Sequence, residues 1–444
     1  MRAQRLLAKR TTVKSLLKAR GSPQSHGLCK LRPYTKINVP AFKHTGEVIA
    51  YASPDSTYAV SRQLLASAKH SICIGIYDFT ASYMHDLLID AMQRGVVIEL
   101  LLDVSGTDET RIFDDLVRLG CSGLRAPSCA NRSARFFTVV HQKVIVIDDT
   151  WVQVQSGNYT PNSIPKNESA TAEANFKTGN RDTGLAFRSP KLAAFFKKRL
   201  AGDRKLVIDA KIAPKAIAML KALKARETLF VPAPKKKPTM VFASKRFTLT
   251  ALKVHPVLTP DNYLDAVAPW LESAKKSIHI EEQYIWAWQS KVQILIQAMK
   301  RALAAYPKLE IRIVLGKAFA AEDVKQFDKA LARLDQDLGL KRTRDIRFIN
   351  QDMFVHCHNK MILIDGQSAL VSSQNWSDTA VDTNREAGVI VDDRRITRYF
   401  EQIFAFDWRV GVSSPLKAKP KFLSPKAFTT GKVVRLDPGD VTFV

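Results

Sequence analysis

The sequence predicts an α/β protein made of two similar α/β/α sandwich domains related by a pseudo-two-fold axis. Three observations predict it. The chain has 444 residues and is 46% apolar, enough for a sizeable core. Two segments, 47–203 and 257–412, repeat one order of helix and strand patterns. Each repeat also carries the same polar residues at the same offsets.

The elements of the repeat follow in order. Residues 67–74 read SAKHSICI and residues 273–280 read SAKKSIHI. In both, a helical pattern leads into the match and a strand-like alternation closes it. The first copy continues with an amphipathic helix over 84–93 and a strand over 96–102. The second continues with a helix over 292–304 and a strand over 309–315. Alternating helix and strand imply a sheet covered by helices. The repeat is too long for a solenoid unit.

The net charge of +26 is segregated. Residues 1–46 hold 11 Lys/Arg and no Asp/Glu, residues 204–256 hold 13 against 2, and residues 413–444 hold 6 against 2. The repeats themselves balance to zero. The organisation read from this is a basic arm (1–46), a first domain (47–203), a basic linker (204–256), a second domain (257–412) and a basic tail (413–444). The PAPKKKP run at 232–238 and the Pro- and Lys-rich run at 415–425 read as extended, solvated chain. Charge placed this way suits docking to a polyanion, either an anionic membrane surface or nucleic acid; the alternative is a solubility device. No stretch approaches the ~20 apolar residues that span a bilayer. The start lacks the apolar run of a secretory signal, and its basic, acid-free character suits a transit peptide or a surface-binding arm. The location expected is cytoplasmic or peripheral to a membrane. Five cysteines at irregular spacing contain no CxxC pair, which argues against a disulfide framework and mildly for a reducing compartment.

Chemistry enters after these strand patterns. The first copy reads His141-Gln142-Lys143, four apolar residues and Asp148, with Ser156 and Asn158 beyond. The second reads His358-Asn359-Lys360, four apolar residues and Asp365, with Ser373 and Asn375 beyond. Lys, Asp and Asn would share these offsets by chance at about 1 in 10⁴ histidines. The apolar runs read as buried strand, and turns at 148–149 and 365–366 send the chain back so that each Asn returns toward its own His and Lys. Two facing copies then offer two imidazoles, two ammonium groups and two amides around one cavity. Cations and amides suit phosphoryl oxygens, and paired imidazoles suit in-line displacement. Asp148 and Asp365 read as structural, at strand ends on the face opposite the histidines.

This pattern resembles the HKD motif of the phospholipase D superfamily, whose members include phospholipases D, cardiolipin synthases and nucleases. The resemblance covers both neutral blocks. The glycine usual before the serine is Gln155 in one copy and Ser372 in the other. It implies one shared active site at the domain interface and a two-step reaction through a covalent phosphohistidine. His141 would attack, His358 would serve as general acid and then base, and Lys143, Lys360, Asn158 and Asn375 would hold the phosphoryl oxygens. Ser156 and Ser373 would contact the phosphate. Downstream, Asn180-Arg181-Asp182 matches Asn384-Arg385-Glu386. In similar proteins an acidic residue here hydrogen-bonds the histidine, which nominates Asp182 and Glu386. No cofactor, metal ion or obligate protein partner is expected. His356-Cys357-His358 lacks a counterpart in the first copy, so His356 reads as pocket lining, not as a metal ligand. Tyr159 and Trp376, and likewise Trp286 and Trp288, read equally as site lining or as core. Three functions compete: a phospholipid phosphodiesterase or phosphatidyltransferase, a metal-independent nuclease, and an inactive polyanion-binding module.

Overall fold

The computed structural model describes residues 29–104, 106–168, 176–212, 240–319 and 321–415. The PAPKKKP run, most of the tail and the first 28 residues lie outside these.

The first repeat contains β1 (Phe42–Ser53), α1 (Thr57–Ala66), β2 (Ser71–Ile76), α2 (Ser82–Gln93), β3 (Val97–Leu102), α3 (Thr107–Arg118), β4 (Ser122–Arg125), β5 (Val144–Ile147), β6 (Trp151–Gln155), β7 (Asp182–Arg188) and α4 (Pro190–Ile212). The second contains β8 (Lys245–Thr259), α5 (Tyr263–Glu272), β9 (Ser277–Glu282), α6 (Ser290–Ala305), β10 (Glu310–Leu315), α7 (Ala321–Leu338), β11 (Ile346–Phe348), β12 (Lys360–Ile364), β13 (Ser368–Ser372), α8 (Asp378–Asp382), β14 (Glu386–Asp392) and α9 (Arg394–Val410).

All the strands join one sheet in the order β11-β10-β9-β12-β13-β14-β8-β1-β7-β6-β5-β2-β3-β4. Read outward from the antiparallel β1–β8 pair, the two halves repeat each other strand for strand. The pseudo-two-fold axis therefore passes through that pair, and the two repeats share a sheet as well as an interface. The expected linker edges fall inside elements: α4 runs on to Ile212 and β8 starts at Lys245. The arm's edge at residue 46 likewise falls within β1.

The apolar runs after each HKD lysine explain how the site is anchored. In β5, Val144 and Val146 face a central core shared by both repeats, while Ile145 and Ile147 face the first repeat's outer core. In β12, Met361 and Leu363 enter the same central core, and Ile362 and Ile364 enter the second outer core. A strand buried on both faces reads as a continuous apolar run, not an alternation. Each fully buried aliphatic side chain contributes about 1.5–3 kcal/mol. β5 turns into β6 through Asp148 and Asp149, both at positive φ (50° and 53°), and Thr150 N donates to Ile147 O. β12 turns into β13 through Asp365 and Gly366 (56° and 62°) in the same way. Positive φ at both central positions marks the type I′ hairpin, for which Asp-Gly is a favoured pair.

The two motif aspartates do a structural job. Asp148 accepts the N–H groups of Lys69, His70 and Ser71 at 2.7–2.8 Å. Asp365 does the same for Lys275, Lys276 and Ser277. Each thus ties its hairpin to the start of the neighbouring strand. One sequence expectation fails: Cys29 and Cys129 form a disulfide, with Cα atoms 5.9 Å apart. A separation of 100 residues leaves no spacing signal, and only the fold brings the pair together. Among the described residues, no helix is long and apolar enough to cross a membrane.

Candidate active site

Each HKD histidine lies just before its buried strand, on backbone borrowed from the other repeat. His141 N and Gln142 N donate to Arg385 O, and Arg385 N donates to Val139 O. Symmetrically, His358 N donates to Arg181 O, and Arg181 N donates to His356 O. These bridges carry the residue after each arginine across the pseudo-two-fold axis. Glu386 of the second repeat thus meets His141 of the first, with Oε2 2.8 Å from Nδ1. Asp182 of the first repeat meets His358 of the second, with Oδ1 2.9 Å from Nδ1. The carboxylates proposed from the sequence are therefore exchanged between repeats. The imidazole centroids stand 6.4 Å apart.

With a carboxylate at Nδ1, Nε2 is left as the second nitrogen of each ring. Both pairs are almost wholly buried. The serines hold the carboxylates. Ser156 Oγ donates to Asp182 Oδ1 at 2.8 Å, and Ser373 Oγ donates to Glu386 Oε2 at 2.6 Å. Both serines are fully buried, and their hydroxyls are engaged by the carboxylates behind the imidazoles. Asn384 Nδ2 donates to the other oxygen of Glu386 at 2.9 Å.

Both lysines are fully buried. Lys143 Nζ donates to His141 O at 2.6 Å and lies over the Tyr77 ring, 5.3 Å from its centroid. Lys360 Nζ donates to His358 O at 2.5 Å and reaches Gln283 Oε1 at 3.4 Å. Asn158 and Asn375 follow the serines by two residues and are buried as well; Oδ1 of Asn375 has no hydrogen-bond partner among the described residues.

Sequence reading missed the frame behind the histidines. Arg181 pairs with Asp55 of its own repeat and Asp407 of the other, at 2.7 and 2.6 Å. Arg385 pairs with Asp261 of its own repeat and Asp203 of the other, at 2.5 and 2.8 Å. Burial alone would lower the arginine pKa values, but the paired aspartates outweigh it and both rise. Two guanidinium clamps thus fix the backbone on which the imidazoles sit. The signal was present: Asn-Arg-acid recurs, and Pro54-Asp55 matches Pro260-Asp261. Tyr34 also donates to Asp261 at 3.0 Å and contacts Arg385 at 2.7 Å, so part of the basic arm belongs to this frame.

The two halves are not electrostatically equal. Glu282, where the first repeat has Ile76, is buried with Oε2 unpartnered among the described residues. Burial pushes its pKa well above the carboxylate range, Lys360 pulls it down and Glu386 pushes it up. Asn359 donates to Glu281 at 2.8 Å, where the first repeat has Gly75. Burial and the neighbouring Asp407 raise the Glu281 pKa.

Tyr159 and Trp376 are fully buried; Trp376 Nε1 donates to Tyr263 OH at 3.2 Å, and Tyr159 packs on Phe79. Both therefore pack, and neither lines an opening. His356 accepts from Lys317 N at 3.3 Å. Among the described residues, no group of three or more His, Cys, Asp or Glu side chains could hold a metal ion.

The family described as "Cardiolipin synthase, PLD-like domain" matches residues 62–198 and 268–408, more than half of the chain. Two relatives named mitochondrial cardiolipin hydrolase match shorter stretches. The one from Danio rerio is 36% identical over 67 residues, 15% of this chain and 30% of its own. The one from Xenopus tropicalis is 30% identical over 79 residues, 18% and 38% of the respective chains. The chain thus spans well under half the length of these relatives. The phosphatidylserine synthase of Haemophilus influenzae Rd KW20 shares the fold at 13% identity and a TM-score of 0.58, over 85% of this chain and 90% of that one. The two family matches each enclose one complete HKD motif and the carboxylate that crosses to the other repeat's histidine, and the chain belongs to the phospholipase D superfamily, in its cardiolipin-synthase-like branch.

Proposed function

We propose that this chain cleaves or exchanges phospholipid phosphodiester bonds through a phosphohistidine intermediate. The observation that carries the reading is the pair of crossed imidazole–carboxylate couples with rings 6.4 Å apart, a separation that suits one phosphoryl group between two Nε2 atoms. In the first step His141 Nε2 forms a bond to phosphorus as the bond to the leaving alcohol's oxygen breaks. His358 Nε2 gives that oxygen its proton. In the second step His358 takes a proton from water or an acceptor alcohol, whose oxygen displaces His141 from phosphorus. Glu386 stabilises the cationic character of His141, and Asp182 that of His358. Lys143, Lys360, Asn158 and Asn375 would receive the phosphoryl oxygens, two cations against the anionic diester.

The phospholipid substrate is supported by the family description and by the names of the curated relatives. The segregated charge of +26 supports peripheral docking to an anionic surface. That charge also favours a second reading, the same chemistry on a nucleic-acid phosphodiester. The test is incubation with anionic phospholipid vesicles and, separately, with single- and double-stranded DNA and RNA. Release or exchange of the lipid headgroup supports the proposal. Oligonucleotide cleavage without lipid turnover overturns it in favour of the second reading.

A further inference from the structure

The two repeats differ in the connection between their second strand and the helix that follows. In the first repeat it is 77–81, Tyr-Asp-Phe-Thr-Ala; in the second it is 283–289, Gln-Tyr-Ile-Trp-Ala-Trp-Gln, two residues longer. The longer connection starts at the catalytic centre, because Gln283 Oε1 faces Lys360 Nζ. It then runs beside the segment after Ser373: Ile285 bridges Trp376, and Trp286 N donates to Trp376 O at 2.8 Å. Its odd side chains stay packed inside, with Ile285 and Ala287 fully buried. Tyr284, Trp286 and Trp288 are partly exposed. Tyr284 stacks on Trp286 at 4.6 Å and 10°, Trp286 lies 5.2 Å from Trp288, and Lys329 Nζ sits 4.6 Å from the Trp288 ring centroid.

The next connection joins the same rim. Gly316 N donates to Gln283 O, and Lys317 N donates to His356 Nδ1. Phe319 is 38% exposed, its ring 4.8 Å from His356 and 5.2 Å from Lys317 Nζ. The corresponding positions after β3 carry Val104 and Gly106. One side of the site therefore bears partly exposed aromatic rings, whereas the shorter connection of the first repeat keeps Tyr77 and Phe79 buried.

We propose that this one-sided rim, Trp286, Trp288 and Phe319 with the exposed Lys329, docks the active-site mouth on an anionic phospholipid bilayer. Aromatic side chains with a polar edge favour the headgroup level, and an exposed lysine lying along one, as Lys329 does on Trp288, extends its ammonium group to lipid phosphates. A stacking platform for nucleobases needs open ring faces. Here Tyr284 stacks on Trp286, and Lys329 lies over Trp288. The inference rests on the phospholipid reading of the site and adds an orientation, with the second repeat toward the membrane.

The test is partition of the full chain onto sonicated vesicles of phosphatidylglycerol and phosphatidylcholine, at low and at raised salt. The variants are Trp288→Ser with Phe319→Ser, and Lys329→Gln. Raised salt screens the basic arm and tail and leaves the apolar contribution. The aromatic double variant should bind about tenfold more weakly at both salts, with its thermal midpoint unchanged. Lys329→Gln should weaken binding only at low salt. Unchanged vesicle partition in the aromatic variant overturns the inference. So does an equal loss of affinity for a single-stranded oligonucleotide, which would mark the rim as a nucleic-acid platform. Vesicle binding is read without turnover, so rim-dependent docking on an enzyme that leaves phospholipid intact would refute the proposed substrate and not the docking.

Discussion

The crossed carboxylates make an unusually specific kinetic prediction. Glu386→Gln keeps the shape of the contact to His141 but removes the charge 2.8 Å from its imidazole, in a pair almost wholly buried. At an effective dielectric of about 20, opposite charges near 4 Å attract by about 4 kcal/mol. Losing that stabilisation as His141 becomes cationic should slow phosphoryl transfer to it by about 10³-fold. Asp182→Asn should act on the other histidine. With bis(p-nitrophenyl) phosphate, whose leaving group needs little proton donation, the first step should survive this change and the second, which needs His358 as base, should not. A rapid-quench experiment separates the two. Asp182→Asn should release a burst of nitrophenolate and then turn over slowly, and Glu386→Gln should show no burst. A burst in Glu386→Gln and none in Asp182→Asn would refute the assignment of Glu386 to the nucleophile.

Three further outcomes are expected. Turnover should be undiminished by EDTA, because two buried lysines supply the positive charge; loss restored by a divalent ion would contradict this. Deleting residues 1–28 should leave turnover of a soluble diester intact, whereas Tyr34→Phe should lower it by removing the hydroxyl that joins Arg385 to Asp261; equal activity of the two would show that hydroxyl to be dispensable. Asp148→Ala should destabilise the fold by about 2–3 kcal/mol in denaturant melts at neutral pH. Burial would raise the Asp148 pKa, but the N–H groups of Ser71, Lys69 and His70 outweigh it, so the folded value lies below the ordinary one. Its stabilisation is therefore present above about pH 4 and lost as pH falls through the folded value, and the gap between variant and parent should narrow in acid.

How much of this was legible in the sequence depended on whether a feature is local or long-range. The hairpins of β5–β6 and β12–β13 were legible, since an apolar run ending in Asp-Asp or Asp-Gly specifies both burial and turn. The histidines, lysines and acidic residues were legible because duplication repeats their offsets. Partnership was not. Offsets within a repeat suggest that Asp182 serves His141, and only the bridges at Arg181 and Arg385 show the exchange. The acceptors of the serine hydroxyls were not legible for a related reason: each carboxylate lies 13 or more residues further along the chain, and only the fold brings it back to its serine. The Cys29–Cys129 bond and the Tyr34 contact share this limit, because residues of a supposedly detached arm gave no sign of returning to the body. The basic linker was overdrawn because helix α4 and strand β8 carry lysines on their solvent sides, and composition alone reads those as loop.

The central claim is that one active site is assembled from both repeats, and single substitutions at its two imidazoles test it most directly. Steady-state turnover of a soluble diester should fall to near background in His141→Ala and equally in His358→Ala, with the double variant little worse, because groups acting as a unit are not additive. About half of the parent's activity in each single variant, and none in the double, would mean two independent sites and would contradict the account.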